Sequence, residues 1–131
     1  MIGLDTNVLV RYLAQDDPGQ SARATEIIER RLSEANPGFV SVVAMAETVW
    51  VLDRAYGLSR EDIAAAVERM LQAEVLVVES EQEVFAATVA LEEGRGSFAD
   101  ALIGALGVAA GCSATLTFDS RALRLPEFEP A

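Results

Sequence analysis

The chain has 131 residues, 51% of them apolar, and a formal net charge of −11. That length suits one folded domain with a buried core, so residues 1–131 are read as a single domain. With no histidine, and with Cys112 as the only cysteine, Ser-His-Asp and Cys-His catalysis and zinc held by His or thiolate are all excluded.

Any metal must therefore be held by oxygen ligands, as Mg²⁺, Mn²⁺ and Ca²⁺ are. No apolar run reaches the roughly 20 residues of a membrane-spanning helix. The opening Met1 to Asp5 lacks the basic and apolar regions of a secretory signal. With a lone cysteine, a cytoplasmic location is expected. All ten basic residues are arginine. So acidic a chain repels nucleic-acid phosphate as a whole. That objection weakens if some acids bind divalent cations and a basic partner covers the protein.

In chain order, Ile2-Gly3-Leu4 reads as a short apolar strand and Asn7 to Ala14 as a helix. Asp16-Asp17-Pro18-Gly19 is a turn. A helix follows from Gln20 to Ala35, stopping at Asn36-Pro37-Gly38. Phe39-Val40-Ser41 is a second strand, and Val42 to Tyr56 a helix ended by Gly57. Ser59 opens a helix to Ala73, and Val75 to Val78 is a buried strand. Ser80 opens a helix to Glu93, Gly94-Arg95-Gly96 is a loop, and Ser97 opens an apolar helix ended by Gly111. Ala114 to Phe118 is a further strand; the Pro-containing tail from Arg124 shows no clear element. Strands alternating with helices, without a hairpin signal, predict an α/β layer fold with a parallel sheet covered on both faces. In such sheets the ligand site lies beyond the carboxyl ends of the strands.

Four acids stand out, each with an ordinary structural alternative. Asp5 follows the first strand and is a good helix cap, but Thr6 or Asn7 can cap as well and leave Asp5 over. Glu47 lies in an apolar helical stretch, either on its solvated edge or against a partner. Asp100 fits a capping box with Ser97, a device that Ser59 with Asp62 and Ser80 with Glu83 would repeat. Yet its helix is so apolar that it must be buried, which carries Asp100 to the interior edge. Asp119 ends a strand, where a turn aspartate is common. Taken together, these are the acids a parallel sheet can gather. Adjacent strands lie about 4.8 Å apart, so Asp5 and Asp119 can share a cation if their strands are neighbours. Clustered carboxylates must bind cations or keep a proton.

The opening Met-Ile-Gly-Leu-Asp-Thr-Asn-Val-Leu-Val-Arg-Tyr-Leu resembles the start of PIN-domain proteins, in which the first strand ends in an acid followed by Thr-Asn. Ser41 to Val51, with Ala46-Glu47, looks like their second acidic motif. Phe98-Ala99-Asp100-Ala101-Leu102-Ile103 looks like the third, and Leu116-Thr117-Phe118-Asp119 like the fourth. Size and the four motifs in order most resemble the VapC toxins of VapBC toxin–antitoxin pairs. The resemblance implies a three-layer α/β/α fold with a short central parallel sheet and a magnesium- or manganese-dependent endoribonuclease. It makes Asp5, Glu47, Asp100 and Asp119 the catalytic, metal-binding acids, with Asn7 and Thr117 supporting them. It also implies a VapB-like antitoxin and a homodimer.

For an RNA substrate, arginine must bind the phosphates. Arg11 lies one turn beyond Asn7, Arg95 sits between glycines that allow close approach, and Arg121 follows Asp119. The competing reading is a PIN-fold interaction module without nuclease activity, although such a module gains nothing from mutually repelling acids. A phosphatase-like acid cluster of the receiver type would want a lysine, and the chain has none.

Overall fold

The computed structural model describes all 131 residues. Strand β1 is only Ile2–Gly3, and the chain turns at once into helix α1, Thr6–Ala14. Gln15 ends that helix in the left-handed region, at φ 53°. Helix α2, Pro18–Glu26, starts with its proline at the first helical position, where the missing N–H costs nothing. Its Asp17 cap accepts from the Gln20 N–H at 2.9 Å.

The expected run of this helix to Ala35 does not hold. The coil widens into a π turn over Ile27–Arg31, closed by the Leu32 N–H on the Ile27 carbonyl at 2.9 Å. Leu32 then turns extended and is buried against the core. Its position is dictated by strand β2, Gly38–Val40. A Cβ on Gly38 would come within 2.7 Å of Leu32 Cδ1 and 2.8 Å of Leu4 Cδ1. The two leucines close over the bare backbone, and a helix continued to Ala35 would carry Leu32 away from it.

β2 lies between β1 and β3, Leu76–Val78, and both pairings are parallel. Helix α3, Val42–Arg54, follows β2 and is capped by Ser41, whose Oγ accepts from the Ala44 N–H at 3.0 Å. Helix α4, Arg60–Gln72, is capped in the same way by Ser59. The Val42 N–H donates to the Glu79 carboxylate at 2.8 Å, which ties the end of β3 to the start of α3.

β3 is an edge strand, and Val77 is exposed, so this strand is not buried on both sides as expected. Helix α5, Glu81–Glu92, starts without the expected Ser80–Glu83 capping box. Ser80 sits in the left-handed region at φ 52°, not in the extended backbone that a capping residue adopts, and no side-chain cap bond forms. Thr48 and Thr88 are fully buried inside α3 and α5. Each hydroxyl donates to the carbonyl four residues back, at 2.7 and 2.8 Å, so neither is left unsatisfied.

Helix α6, Phe98–Ala109, buries Phe98, Ala101, Leu102 and Gly104 but exposes Ile103 and Val108. Its apolar sequence suggested burial all round; only one side has a partner. That partner includes a second, two-stranded parallel sheet of β4, Thr115–Thr117, and β5, Phe128–Pro130. The tail therefore does contain a last strand. Leu116 and Phe118 on and beyond β4 are exposed, at 65% and 95%, so this sheet is not covered on both faces. The whole is an α/β fold of six α-helices with a small parallel sheet in two hydrogen-bonded pieces. Val40, Met45, Leu52, Val67 and Val84 form the driest part of one continuous core.

The second sheet docks on α6 because two glycines let it. A Cβ on Gly104 would lie 2.9 Å from a ring carbon of Phe128, and one on Gly107 2.8 Å from the Thr115 hydroxyl. Gly104→Val should lower the urea-unfolding free energy by about 1–3 kcal/mol, as overpacking of a filled site does. An unchanged midpoint would mean that the Phe128 ring is not held where the structure puts it.

Candidate metal-binding site

Asp5 caps α1 itself. Its backbone is extended, and Oδ1 accepts from the Thr6 N–H at 2.8 Å. The expectation that Thr6 or Asn7 would cap and leave Asp5 over is thus corrected: Thr6 is already helical and buried. The bond reaches only the nearest N–H, not the second or third that a capping oxygen usually takes. Oδ2 accepts no hydrogen bond from the protein. Asn7, on the first turn, is exposed and its side chain is unbonded.

Glu47 projects from the exposed side of α3, close in sequence to exposed Val43 and Trp50. No arginine or N–H group bonds its carboxylate. Asp100 is half-buried near the start of α6. Ser97 Oγ accepts from the Asp100 N–H at 3.1 Å, but the Asp100 carboxylate does not bond back to Ser97. The capping box is half made, and the half that is missing is the acid's. The Ser59–Asp62 pair is the same.

Asp119 is the most constrained of the four. Thr117 Oγ1 accepts from the Asp119 N–H at 3.0 Å, and Asp119 Oδ1 accepts from the Arg121 backbone N–H at 2.8 Å. The Arg121 guanidinium lies at 3.4 Å. The backbone bond, and after it the guanidinium, hold the Asp119 carboxyl below the usual carboxylate range. The other two arginines singled out by the sequence are also engaged. Arg95 pairs with Glu93 at 2.8 Å, and Arg11 with Asp16 at 3.3 Å.

α1 packs on α3, and α3 on α6. A cavity of about 160 Å³ lies between α3 and the start of α6, lined by Ala46 and Trp50 on one side and Ser97, Phe98 and Ala99 on the other. Glu47 and Asp100 each follow a lining residue in sequence, on two helices that pack together, but neither lines the cavity itself. β1 hydrogen-bonds only with β2 and β4 only with β5, so no backbone ladder joins the strands that precede Asp5 and Asp119. β1 is two residues long, and the Ile2 and Leu4 N–H groups both bond toward β2, which leaves little backbone for a second ladder.

No three carboxylates converge closely enough to hold a metal ion. In kind, the donors fit a hard divalent cation: all are oxygen, Glu47 and Asp100 are unpaired, and Asp5 and Asp119 each retain an unbonded oxygen.

The sequence model of the PIN domain family matches residues 2–127. The chain belongs to the PIN domain family. PIN domains are generally nucleases; they typically use divalent metal ions and act on RNA. No curated protein matches the chain.

Beside the PIN motifs lies a polar network that local sequence did not reveal. The Tyr56 hydroxyl donates to Asp16 Oδ2 at 2.7 Å and accepts from Arg11 Nη1 at 3.0 Å. It pins the α1–α2 loop to the far end of α3. No periodicity signals a bond between residues so distant in sequence. The bond from Tyr56 holds the Asp16 carboxyl below its ordinary value and pushes the phenol up. A depressed carboxyl adds stability that is present above the unfolded aspartate pKa of about 3.9 and is lost as pH falls through the lower folded value. A raised phenol adds stability that is present below the unfolded tyrosine pKa of about 10 and is lost as pH rises through the folded value. Tyr56→Phe should therefore lower the melting temperature at neutral pH and lessen its fall at both extremes. Melting curves that shift equally at every pH would show that the bond is not what links Tyr56 to stability.

Proposed function

We propose that residues 1–131 form a single PIN domain acting as a metal-dependent endoribonuclease, with Asp5, Glu47, Asp100 and Asp119 as its metal-binding acids. The observation that supports this most is that Glu47 and Asp100, on two helices that pack together, are both left unpaired. Glu47 and Asp100 are carboxylates with no guanidinium or N–H against them, in a family whose members typically use divalent metals. When bound, Mg²⁺ or Mn²⁺ would acidify a water and offset charge on the scissile phosphodiester.

Asp5, Asp100 and Asp119 are assigned as direct ligands. Glu47 either completes the set or orients water and accepts its proton, since no histidine is present to act as base. Thr117 steadies Asp119 through the N–H bond to its hydroxyl. Asn7 stands on the same helical turn that Asp5 caps. Arg11, Arg95 and Arg121 are the candidate RNA contacts. The Arg95 and Arg121 ion pairs are largely exposed and individually weak, so exchange for phosphate costs little. Hydrolysis by in-line attack would leave a 5′-phosphate and a 3′-hydroxyl.

The finer reading is a VapC-like toxin, cytoplasmic and homodimeric, silenced by a basic VapB-like antitoxin. The charge of −11 favours a basic partner. Among the apolar positions of the early helices, Leu9 and Ile28 are core residues, while Val8, Tyr12 and Ile27 are half-buried. An apolar groove of about 340 Å³ between α1, the π turn, α4 and β3, lined by Tyr12, Leu13, Met70 and Leu76, is the surface assigned to that partner. The alternative is an interaction module without nuclease activity, and the lack of three converging carboxylates favours it.

Two variants separate the readings. Ser97→Ala removes the bond to the Asp100 N–H and should cost about 1 kcal/mol of stability while keeping most cleavage. Asp100→Asn removes no protein bond to the carboxylate, so stability in EDTA should hold or rise as repulsion eases. Its cleavage of RNA in Mg²⁺ should fall by orders of magnitude. An Asp100→Asn variant that cuts like the parent would remove Asp100 from the site, and a parent that cuts no RNA would favour the interaction module.

A further inference from the structure

We infer that the cleft between α1 and α2 is a phosphate-binding subsite for the RNA strand, with Arg23 as its charge-bearing residue. The inference rests on the nuclease reading above and names where the substrate runs beyond the acids. The cleft holds about 210 Å³. Its polar lining is Asn7, Arg11, Gln20 and Arg23, over apolar ground that includes Val8 and Ile27. No carboxylate lines it, although the chain carries 21 acidic residues. It thus offers donors without the repulsion that most of this surface presents to a phosphate.

The two arginines play different parts. Arg11 is fixed: Nε donates to Gln20 Oε1 at 2.8 Å, and Nη1 reaches Asp16 and Tyr56. Asp16 offsets its charge. Arg23 makes no hydrogen bond or ion pair and is exposed. Arg11, Arg30, Arg54, Arg60, Arg95 and Arg121 each lie against an acid, and of the four arginines that do not, Arg23 is the one that lines this cleft. Arg23 therefore brings an unshared guanidinium fork, suited to the paired oxygens of a phosphodiester. Asn7 adds an unbonded carboxamide to the lining of the cleft.

Position links the cleft to the acids. Asn7 lies two residues beyond Asp5, and Arg11 is about 9 Å from Asp5 along the α1 axis at 1.5 Å per residue. The cleft leads away from the candidate metal acids along that axis, where a neighbouring phosphate of a bound strand would fall. No aromatic side chain is in its lining for a base to stack on, so it recognises backbone and sets register instead of reading sequence.

The test uses the full chain and a short fluorescein-labelled single-stranded RNA, with binding followed by anisotropy in Ca²⁺ across a range of KCl concentrations. Cleavage in Mg²⁺ is measured in parallel. Arg23→Gln should flatten the slope of log K against log salt by about 0.7, the loss of one single-strand phosphate contact. It should raise KM with little change in kcat, as loss of uniform binding does. Arg23→Lys should restore the slope. Arg69→Gln, which removes the same charge outside the cleft, should leave slope and KM at parental values. Melting curves should show all three variants folded, because neither the Arg23 nor the Arg69 side chain makes a bond within the protein.

A parent that cuts RNA, together with an Arg23→Gln variant of unchanged slope and KM, overturns the subsite alone. Equal effects from Arg23→Gln and Arg69→Gln overturn it too, by showing a diffuse charge effect. A parent that neither binds nor cuts RNA overturns the nuclease reading and the subsite with it.

Discussion

The pairing of β2 along both its edges is the constraint on which the first half of the molecule depends. Three residues, Gly38–Val40, receive hydrogen bonds from β1 on one side and exchange them with β3 on the other. So short a strand holds only because its start is bare backbone, over which Leu4 and Leu32 close. From that register follow the end of β1, the capping of α1 by Asp5, the start of α3 and hence the place of Glu47. A larger residue at 38 would part Leu4 from Leu32 and loosen all of these together.

The second half hangs on α6. Gly104 and Gly107 bring β4 and β5 against it, and Asp119 follows β4 in a turn closed by its own side chain. Asp100 opens the same helix. The four acids are therefore carried in pairs by two units, Asp5 with Glu47 and Asp100 with Asp119. The units meet where α3 packs on α6. Like charges oppose a closer approach. A cation shared across that junction would join the halves that backbone hydrogen bonding leaves separate.

Much of this was legible in the sequence. Alternating apolar strands and capped helices indicated the α/β class, and Ser41, Ser59 and Ser97 do open helices. Gly57 does turn the chain after α3. The misses share a cause: local pattern was asked to settle what a distant contact decides. The helix after Pro18 stops short because Leu32 is needed over Gly38. Ser80 fails as a cap because the chain leaving β3 forces it left-handed. The exposed side of α6 reads like the buried side because Ile103 and Val108 are as apolar as Leu102. For the site, sequence picked out acids but could not place β1 against β4. It also missed Tyr56, whose bond to Asp16 spans most of the first half of the chain.

The central claim is that these acids form one divalent-cation site. Its most direct test is the melting temperature of the protein as Mn²⁺ is titrated into a metal-free sample, beside an Asp5→Asn variant. If the folded chain draws the four carboxylates around the cation, the parent should gain stability, about 2.7 kcal/mol when Mn²⁺ reaches 100 times its dissociation constant. The variant should gain much less over the same range. A parent whose melting temperature does not move, or a variant that moves as far as the parent, would contradict the claim.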